Sequence, residues 1–253
     1  GADYLDTIPG FSTVRKGGSG ADPVLRGMAG SRLSILTDGG FILGGCSVRM
    51  DPPTSYVFPE AYDVITVIKG PQTVKYGAAA SAGTVLFERS NERLAAPSWQ
   101  ANASLIAGAW KRNDQVFDLR AGTPAFYVRA TGGHSASGNY RDGEGQAVHS
   151  EYARWNAETA FGWTPDATTR LEVATSLGDG RAAYADRGVD GSQFRRIGTG
   201  VSFEKRRPGA LVSRLEAAVS YNYTDHVMDN YTLRTFQPSM MSPTPSAMNP
   251  DRT

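Results

Sequence analysis

The segment Glu151-Tyr-Ala-Arg-Trp-Asn-Ala-Glu-Thr-Ala-Phe-Gly-Trp163 alternates along its whole length. Ala153, Trp155, Ala157, Thr159, Phe161 and Trp163 fall on one face, and Tyr152, Arg154, Asn156 and Glu158 on the other. A period of two is the signature of a strand with two different environments. Whole charges on the polar face favour a wet or plugged lumen over the dry core of a sandwich. The same grammar spreads outward from this segment. Thr168 to Leu177 sets Leu171, Val173 and Leu177 against Arg170 and Glu172. Leu211 to Tyr223 sets Leu211, Leu215, Val219, Tyr221 and Tyr223 against Arg214, Glu216 and Asn222. Ser98 to Gly108, Gln115 to Gly122, Ala125 to Ser137 and Gln193 to Arg206 follow it less cleanly. Seven strands of bilayer-spanning length result, the pattern of an antiparallel transmembrane β-barrel.

The connections alternate too. Thr123-Pro124, Thr164-Pro-Asp-Ala167 and Arg207-Pro-Gly-Ala210 read as tight turns, with long polar loops between them at 138–150 and 179–192. Short periplasmic turns and long external loops are the habit of outer-membrane barrels. Parity then sends the strand ending at Tyr223 outward. Tyr221 and Tyr223 belong to the outer aromatic girdle on this reading, and His226 and Met228 to the loop just above it. Closed bacterial barrels use even strand numbers, and the polar end Met248-Asn-Pro-Asp-Arg-Thr253 reads as an external loop. At roughly 23 residues per strand, a plugged barrel of about 22 strands needs several hundred more residues. The chain reads as a fragment.

The 253 residues carry a formal net charge of +1, 29 glycines, 14 prolines, 11 tyrosines and one cysteine. Length alone allows one or two domains. A charge this close to zero gives no reason to expect nucleic acid or an acidic substrate. No apolar run reaches the ~18 residues of a membrane-spanning helix. No basic and then apolar leader opens the chain, so the expectation is that any signal peptide has been removed. Residues 1 to 92 read as a separate mixed unit. Leu33-Ser-Ile-Leu-Thr37 and Val64-Ile-Thr-Val-Ile68 are short buried strands, with turns at Asp38-Gly39-Gly40 and Lys69-Gly70-Pro71.

Within this unit, Gly44-Gly-Cys-Ser-Val-Arg-Met-Asp-Pro-Pro53 holds the lone cysteine, with Met50 four residues after Cys46. A single cysteine has no disulfide partner within the chain, and an unpaired one in an exported protein suggests a reactive or ligating thiol. If the segment forms a helical turn, positions i and i+4 share a face, and Asp51-Pro52-Pro53 ends the turn. Far downstream, His226 and Met228 lie two apart, on one side of an extended segment. Thiolate and thioether donors are soft, and the thioether in particular points to copper. If the fold unites the two segments, Cys46, Met50, His226 and Met228 form a copper site. Cu(I) is preferred by softness, with Cu(II) also open to capture. Each residue also has a plainer reading: Cys46 as a small buried hydrophobe, Met50 as a gap-filler, His226 as a solvated loop residue. His134 and His149 have no sulfur partner and read as structural or solvated.

Arg26-Gly27, Arg32, Asp38-Gly39, Ile65-Thr-Val-Ile-Lys69-Gly70-Pro71, Tyr76-Gly77 and Gly83-Thr-Val-Leu-Phe87 together resemble the plug domain of a TonB-dependent outer-membrane receptor. The resemblance covers residues 20–90, and the strand pattern follows as that family requires. It implies a mixed α/β plug domain, residues 1–92, inside an antiparallel transmembrane β-barrel whose first part is residues 93–253. It also implies a bacterial outer-membrane location, contact with outer-membrane lipid, and work done by the TonB inner-membrane energy complex on a box preceding Gly1. More narrowly, Cys-x-x-x-Met in the plug with His-x-Met in a barrel loop resembles the copper receptor of that family. This implies copper import into the periplasm through Cys46, Met50, His226 and Met228.

Other features fit this frame. Met240, Met241 and Met248 sit in a Pro-Ser-Thr-rich loop, as outer copper contacts or as residues lying over the plug. Arg26, Arg32, Glu60, Lys69 and Glu88 are expected to bond the plug to lumen charges such as Arg154 and Glu158. No nucleophile elbow surrounds a serine, and Gly17-Gly18-Ser19-Gly20 lacks the lysine of a phosphate loop, so catalysis has no support. Two alternatives remain open. One is a siderophore or haem receptor of the same family. The other is a non-transporting barrel serving as an adhesin or as a docking surface for a partner such as a secreted copper carrier.

Overall fold

The computed structural model describes residues 2–17, 20–46, 48–70, 74–77, 80–90 and 93–248. Gly18 and Ser19 of the glycine-rich run, Pro71 of the Lys69-Gly70-Pro71 turn, and the end at Thr253 lie outside the described residues. So does Glu92, at the expected boundary between the two units.

Helix α1 (Ala2–Leu5) leads into a hairpin of β1 (Phe11–Arg15) and β2 (Ala21–Leu25). A second, mixed sheet follows, built from β3 (Leu33–Thr37), β4 (Gly40–Phe41), β5 (Val64–Lys69) and β6 (Gly83–Glu88) in the order β4-β3-β6-β5. The β3–β6 pair is parallel and the other two pairs are antiparallel. Asp38 and Gly39 join β3 to β4 with φ of 46° and 82°, the left-handed pair that a two-residue hairpin needs. Leu5, Leu25, Leu33, Ile35, Val57, Val85 and Phe87 bury their side chains together as the core of this unit. The apolar runs at 33–37 and 64–68 both pack on this one small centre, but only the first is buried: β5 is an edge strand that lays Ile65 and Val67 on the core and leaves Val64 exposed.

The rest of the described chain is one antiparallel sheet. Its long members are β7 (Ser98–Gly108), β8 (Arg112–Gly122), β9 (Phe126–Ser137), β10 (Tyr152–Trp163), β11 (Thr169–Ala182), β12 (Asp190–Arg206) and β13 (Arg214–Asp229). A two-residue β14 (Ala247–Met248) pairs with the end of β13. Strands pair in chain order and the sheet is open, with β7 and β14 at its edges. Trp155, Phe161, Trp163, Val173, Leu177, Val219 and Tyr221 are exposed on the outer face. Their alternating neighbours Arg154, Glu158 and Asn222 meet the first unit, at Ser55, Arg89 and Phe41. Among the described residues no helix is long and apolar enough to cross a membrane. The architecture is a mixed α/β plug against an arc of antiparallel barrel wall.

The structure corrects the sequence reading in three places. First, β13 runs to Asp229 and β12 starts at Asp190, so His226 and Met228 sit inside the strand rather than in a loop above it. The polar Asp225-His226 pair looks loop-like, yet Arg195 and Phe194 pair opposite it, and the ladder runs on past a bulge at Gly191–Gln193 to Asp190 opposite Asp229. β11 likewise extends to Ala182, which shortens the expected loop at 179–192.

Second, Cys46 and Met50 are not on a helical turn. The Arg49 N–H donates to the Cys46 carbonyl at 2.9 Å, closing a single turn, and Arg49 then takes φ 57°, which no right-handed helix accommodates.

Third, the plug reaches the wall charges with other residues, among them Lys75, which pairs with Glu216 at 3.1 Å. Arg89, just past β6, pairs with Glu158 at 2.8 Å and with Asp38 at 2.5 Å. Arg154 donates to the Ser55 carbonyl and stacks over Phe58. Lys69 and Glu88 instead bond within the plug, to the Pro9 carbonyl and the Thr66 hydroxyl, Arg26 and Arg32 are exposed, and Glu60, also exposed, acts on Arg154 only through its charge.

A candidate metal centre between plug and wall

The Gly44–Tyr56 segment of the plug climbs to the outer half of β13. A Cβ on Gly45 would stand 2.8 Å from the His226 Cβ and 3.1 Å from the Thr224 Cγ2. Glycine at 45 is what lets plug backbone touch the wall here. A Cβ on Gly44 would meet the Asp51 carbonyl at 2.2 Å, so the loop also folds closely on itself.

Asp51 organises that loop. Its Oδ2 accepts from the Gly45 N–H at 2.6 Å and from the Tyr56 hydroxyl at 2.6 Å, and its Oδ1 accepts from the Cys46 N–H at 2.9 Å. Burial works against its charge, but His226, the Tyr56 hydroxyl and the Gly45 N–H outweigh it and hold the carboxyl below the usual range. Burial, and then the Asp51 charge, pushes the Tyr56 hydroxyl well above its ordinary value.

All four soft or borderline donors named from the sequence gather at this contact. Met50 and Met228, 4% and 1% exposed, pack in one buried cluster with Ala182, Tyr184 and Phe194, and Cys46 lies against it, partly buried and unpaired. The Tyr184 hydroxyl donates to the Met50 carbonyl at 3.1 Å and fixes that residue to the wall. His226 is fully buried, and its ring centroid lies 4.7 Å from that of Phe194. Its Nδ1 lies 3.2 Å from Asp51 Oδ2, an ion-pair distance without hydrogen-bond alignment. Its Nε2 is buried with no hydrogen-bond partner. Buried imidazole nitrogens seldom go unpaired, so this atom asks for a ligand.

Among the described residues no group of three or more His, Cys, Asp or Glu is arranged to hold a metal. A hard, carboxylate-rich site therefore has no support. The arrangement suits an ion that accepts thiolate, thioether and imidazole together.

Of the other candidates, His149 Nε2 bonds Asp190 at 2.9 Å, and His134 lies on β9. Met240 and Met241 are fully exposed, whereas Met248 pairs in register with Met228. Several organising residues escaped the sequence reading. In the sequence Asp51 reads only as part of the stop after Met50. Tyr184, Phe194 and the Asp190–Arg234 pair lie on segments whose proximity comes from strand pairing, which no local motif announces.

A plug sheet threaded against an arc of strands, with its ion pairs facing a charged lumen, defines a TonB-dependent receptor. The model of the TonB-dependent Receptor Plug Domain matches residues 1–84, so the first third of the chain belongs to that family. Within it, the chain is similar to the solved structure titled "Copper transporter OprC", at 55% identity and a TM-score of 0.94, over 98% of this chain and 39% of that one. The chain thus spans well under half of that transporter's length. It also matches the FrpB iron transporter from Neisseria meningitidis, at 14% identity and a TM-score of 0.71, over 90% of this chain and 38% of that one. A mutant of the ferric enterobactin receptor PfeA from Pseudomonas aeruginosa matches at 16% identity and a TM-score of 0.66, over 89% and 38%. These last two share the fold alone. Curated protein sequences give no match.

Proposed function

We propose that this chain is the plug and first wall segment of an outer-membrane receptor that captures copper and imports it into the periplasm. The observation that carries the reading is the burial of Met50, Met228 and His226 with Cys46 at one plug–wall contact, His226 Nε2 being left without a protein partner. The likeness to OprC supports copper as the substrate. Cys46, Met50, His226 and Met228 are the proposed ligands. One thiolate, two thioethers and one imidazole make a soft set that favours Cu(I), with Cu(II) also open to capture.

The mechanism follows from where the donors come from. Cys46 and Met50 belong to the plug, at 1–92, and His226 and Met228 to the barrel, at 93–253, so a bound ion staples one to the other. Ligation requires the thiolate, and the thiol proton leaves as copper enters. Release requires the plug segment to move away from β13. Force from the TonB complex on the plug's amino terminus supplies that movement. Met248, beside Met228, and the exposed Met240 and Met241 offer thioethers on the outer side as a first contact for the ion. Trp155, Phe161, Trp163 and Tyr221 form the face turned to outer-membrane lipid, and a secreted copper carrier is a candidate delivery partner. No step involves catalysis.

The test is metal analysis of the purified protein after loading with Cu(I), with Cys46→Ala alongside. The reading expects copper in the parent protein and loss of most of it in the variant, with the barrel still folded. Copper kept at parental stoichiometry in Cys46→Ala sinks the site. Copper uptake that persists in cells lacking the inner-membrane motor sinks the transport step.

A further inference from the structure

Asp51 sits at the centre of the candidate site although it belongs to no expected ligand set. It is 1% exposed. Its Oδ1 takes the Cys46 N–H, and its Oδ2 takes the Gly45 N–H and the Tyr56 hydroxyl. The same Oδ2 faces His226 Nδ1 at 3.2 Å. One carboxylate therefore touches the backbone of the thiol-bearing plug loop and the imidazole of the wall.

The two nitrogens of His226 are not equivalent. Neither is in hydrogen-bond alignment, but Nδ1 lies 3.2 Å from a carboxylate oxygen and Nε2 has no charged or polar partner. A proton on Nε2 alone would bury an N–H without an acceptor and turn the Nδ1 lone pair towards a negative oxygen. Each arrangement is unfavourable in a buried site. A proton on Nδ1 instead lies beside the carboxylate charge, an electrostatic gain even off hydrogen-bond alignment, and leaves the Nε2 lone pair free.

We infer that Asp51 is a positioning residue for the metal site: it clamps the Gly45–Cys46 backbone and sets His226 as its Nδ1–H tautomer, so that Nε2 meets the metal. This rests on the copper-site reading for its purpose, though not for its geometry. Carboxylates behind metal-binding histidines fix ring orientation and raise ligand basicity, and removing them typically weakens metal binding ~10- to 100-fold. Here the same carboxylate also holds the loop that carries the thiolate. The plug and wall halves of the site thus share one support.

Two measurements decide it. The first is the nitrogen-15 spectrum of the His226 ring in the metal-free protein, which reports where the proton sits. The expected result is an Nδ1–H signature in the parent protein and loss of that preference in Asp51→Asn. A parent ring protonated on Nε2 alone overturns the inference, and this arm needs neither metal nor a folded variant. The second is competition titration with Ag(I), a soft monovalent probe that does not change oxidation state. Asp51→Asn should bind about 10- to 100-fold more weakly than the parent. In a His226→Ala background the same substitution should cost at least about threefold less, because one of its two targets is gone. An equal loss in both backgrounds makes Asp51 a general structural residue and overturns the imidazole role. If Cys46→Ala and His226→Ala bind Ag(I) as the parent does, the copper site itself fails, and the ring spectrum still judges Asp51 separately.

Discussion

Gly45 of the plug and His226 of the wall approach so closely that a single methyl group does not fit between them. A Cβ on Gly45 would stand 2.8 Å from the Cβ of His226, and the Thr224 methyl closes the other side at 3.1 Å. Gly45→Ala must push the Cys46 loop off β13 or displace His226. Overpacking of this kind costs about 1–3 kcal/mol, which corresponds to roughly 5- to 150-fold in affinity if it falls wholly on metal binding. The barrel itself should assemble unchanged. A Cu(I) competition titration checks this, and parental affinity in Gly45→Ala contradicts the close approach.

Arg89 ties the far side of the plug to the wall. It bridges Asp38 of the plug and Glu158 of β10, and its guanidinium stacks over Tyr62 at 4.2 Å. Its side chain is 6% exposed and that of Glu158 is 16% exposed. Removing the cation strands two carboxylates that face each other, so Arg89→Ala should destabilise the seated plug by about 3 kcal/mol. Limited proteolysis should then cut the plug earlier than in the parent, before the barrel yields. Unchanged plug protection contradicts the assignment.

Asp190 holds the outer connections together. It is fully buried and accepts from Arg234 Nη2 at 2.5 Å, from Arg234 Nε at 2.7 Å and from the Tyr184 N–H at 2.9 Å. Tyr184 packs on Met50 and Met228, so this ion pair braces the roof of the candidate site. Arg234→Ala should raise hydrogen exchange over residues 183–189 and speed metal release. Arg234→Lys should rescue only in part, because an ammonium cannot repeat the paired contact of a guanidinium. Exchange rates equal to the parent's in Arg234→Ala would show that the roof stands without it.

Much of this architecture is legible in the residues, for definite physical reasons. Alternation at 151–163 survives because one face points outwards, with Trp155, Phe161 and Trp163 exposed, and the other faces plug groups such as Arg89. The run at 33–37 is apolar on both faces because both are covered, whereas the run at 64–68 is an edge strand that packs Ile65 and Val67 on the core and leaves Val64 exposed. Donor chemistry is legible too, since cysteine, methionine and histidine declare their softness without a fold. Strand ends are less so. Asp225 and His226 look like loop residues, and only pairing with Arg195 and Phe194 makes them strand. Asp51 is harder still, because a carboxylate before two prolines reads locally as a turn signal. Its role depends on a histidine about 180 residues away, brought near by the β12–β13 ladder. Arg89 was missed because it follows the last short strand and carries no spacing signal. The plug–wall contact that selects it is non-local.

X-ray absorption at the copper edge of the Cu(I)-loaded protein tests the central claim most directly. If Cys46, Met50, His226 and Met228 hold the ion together, sulfur should dominate its first shell. Sulfur scatterers are expected at roughly 2.3 Å and one imidazole nitrogen at roughly 2.0 Å, by analogy with zinc–thiolate and zinc–imidazole bonds. Cys46→Ala should lose sulfur amplitude, and His226→Ala the imidazole signal. A shell of oxygen and nitrogen alone, or a spectrum unchanged in both variants, contradicts the claim.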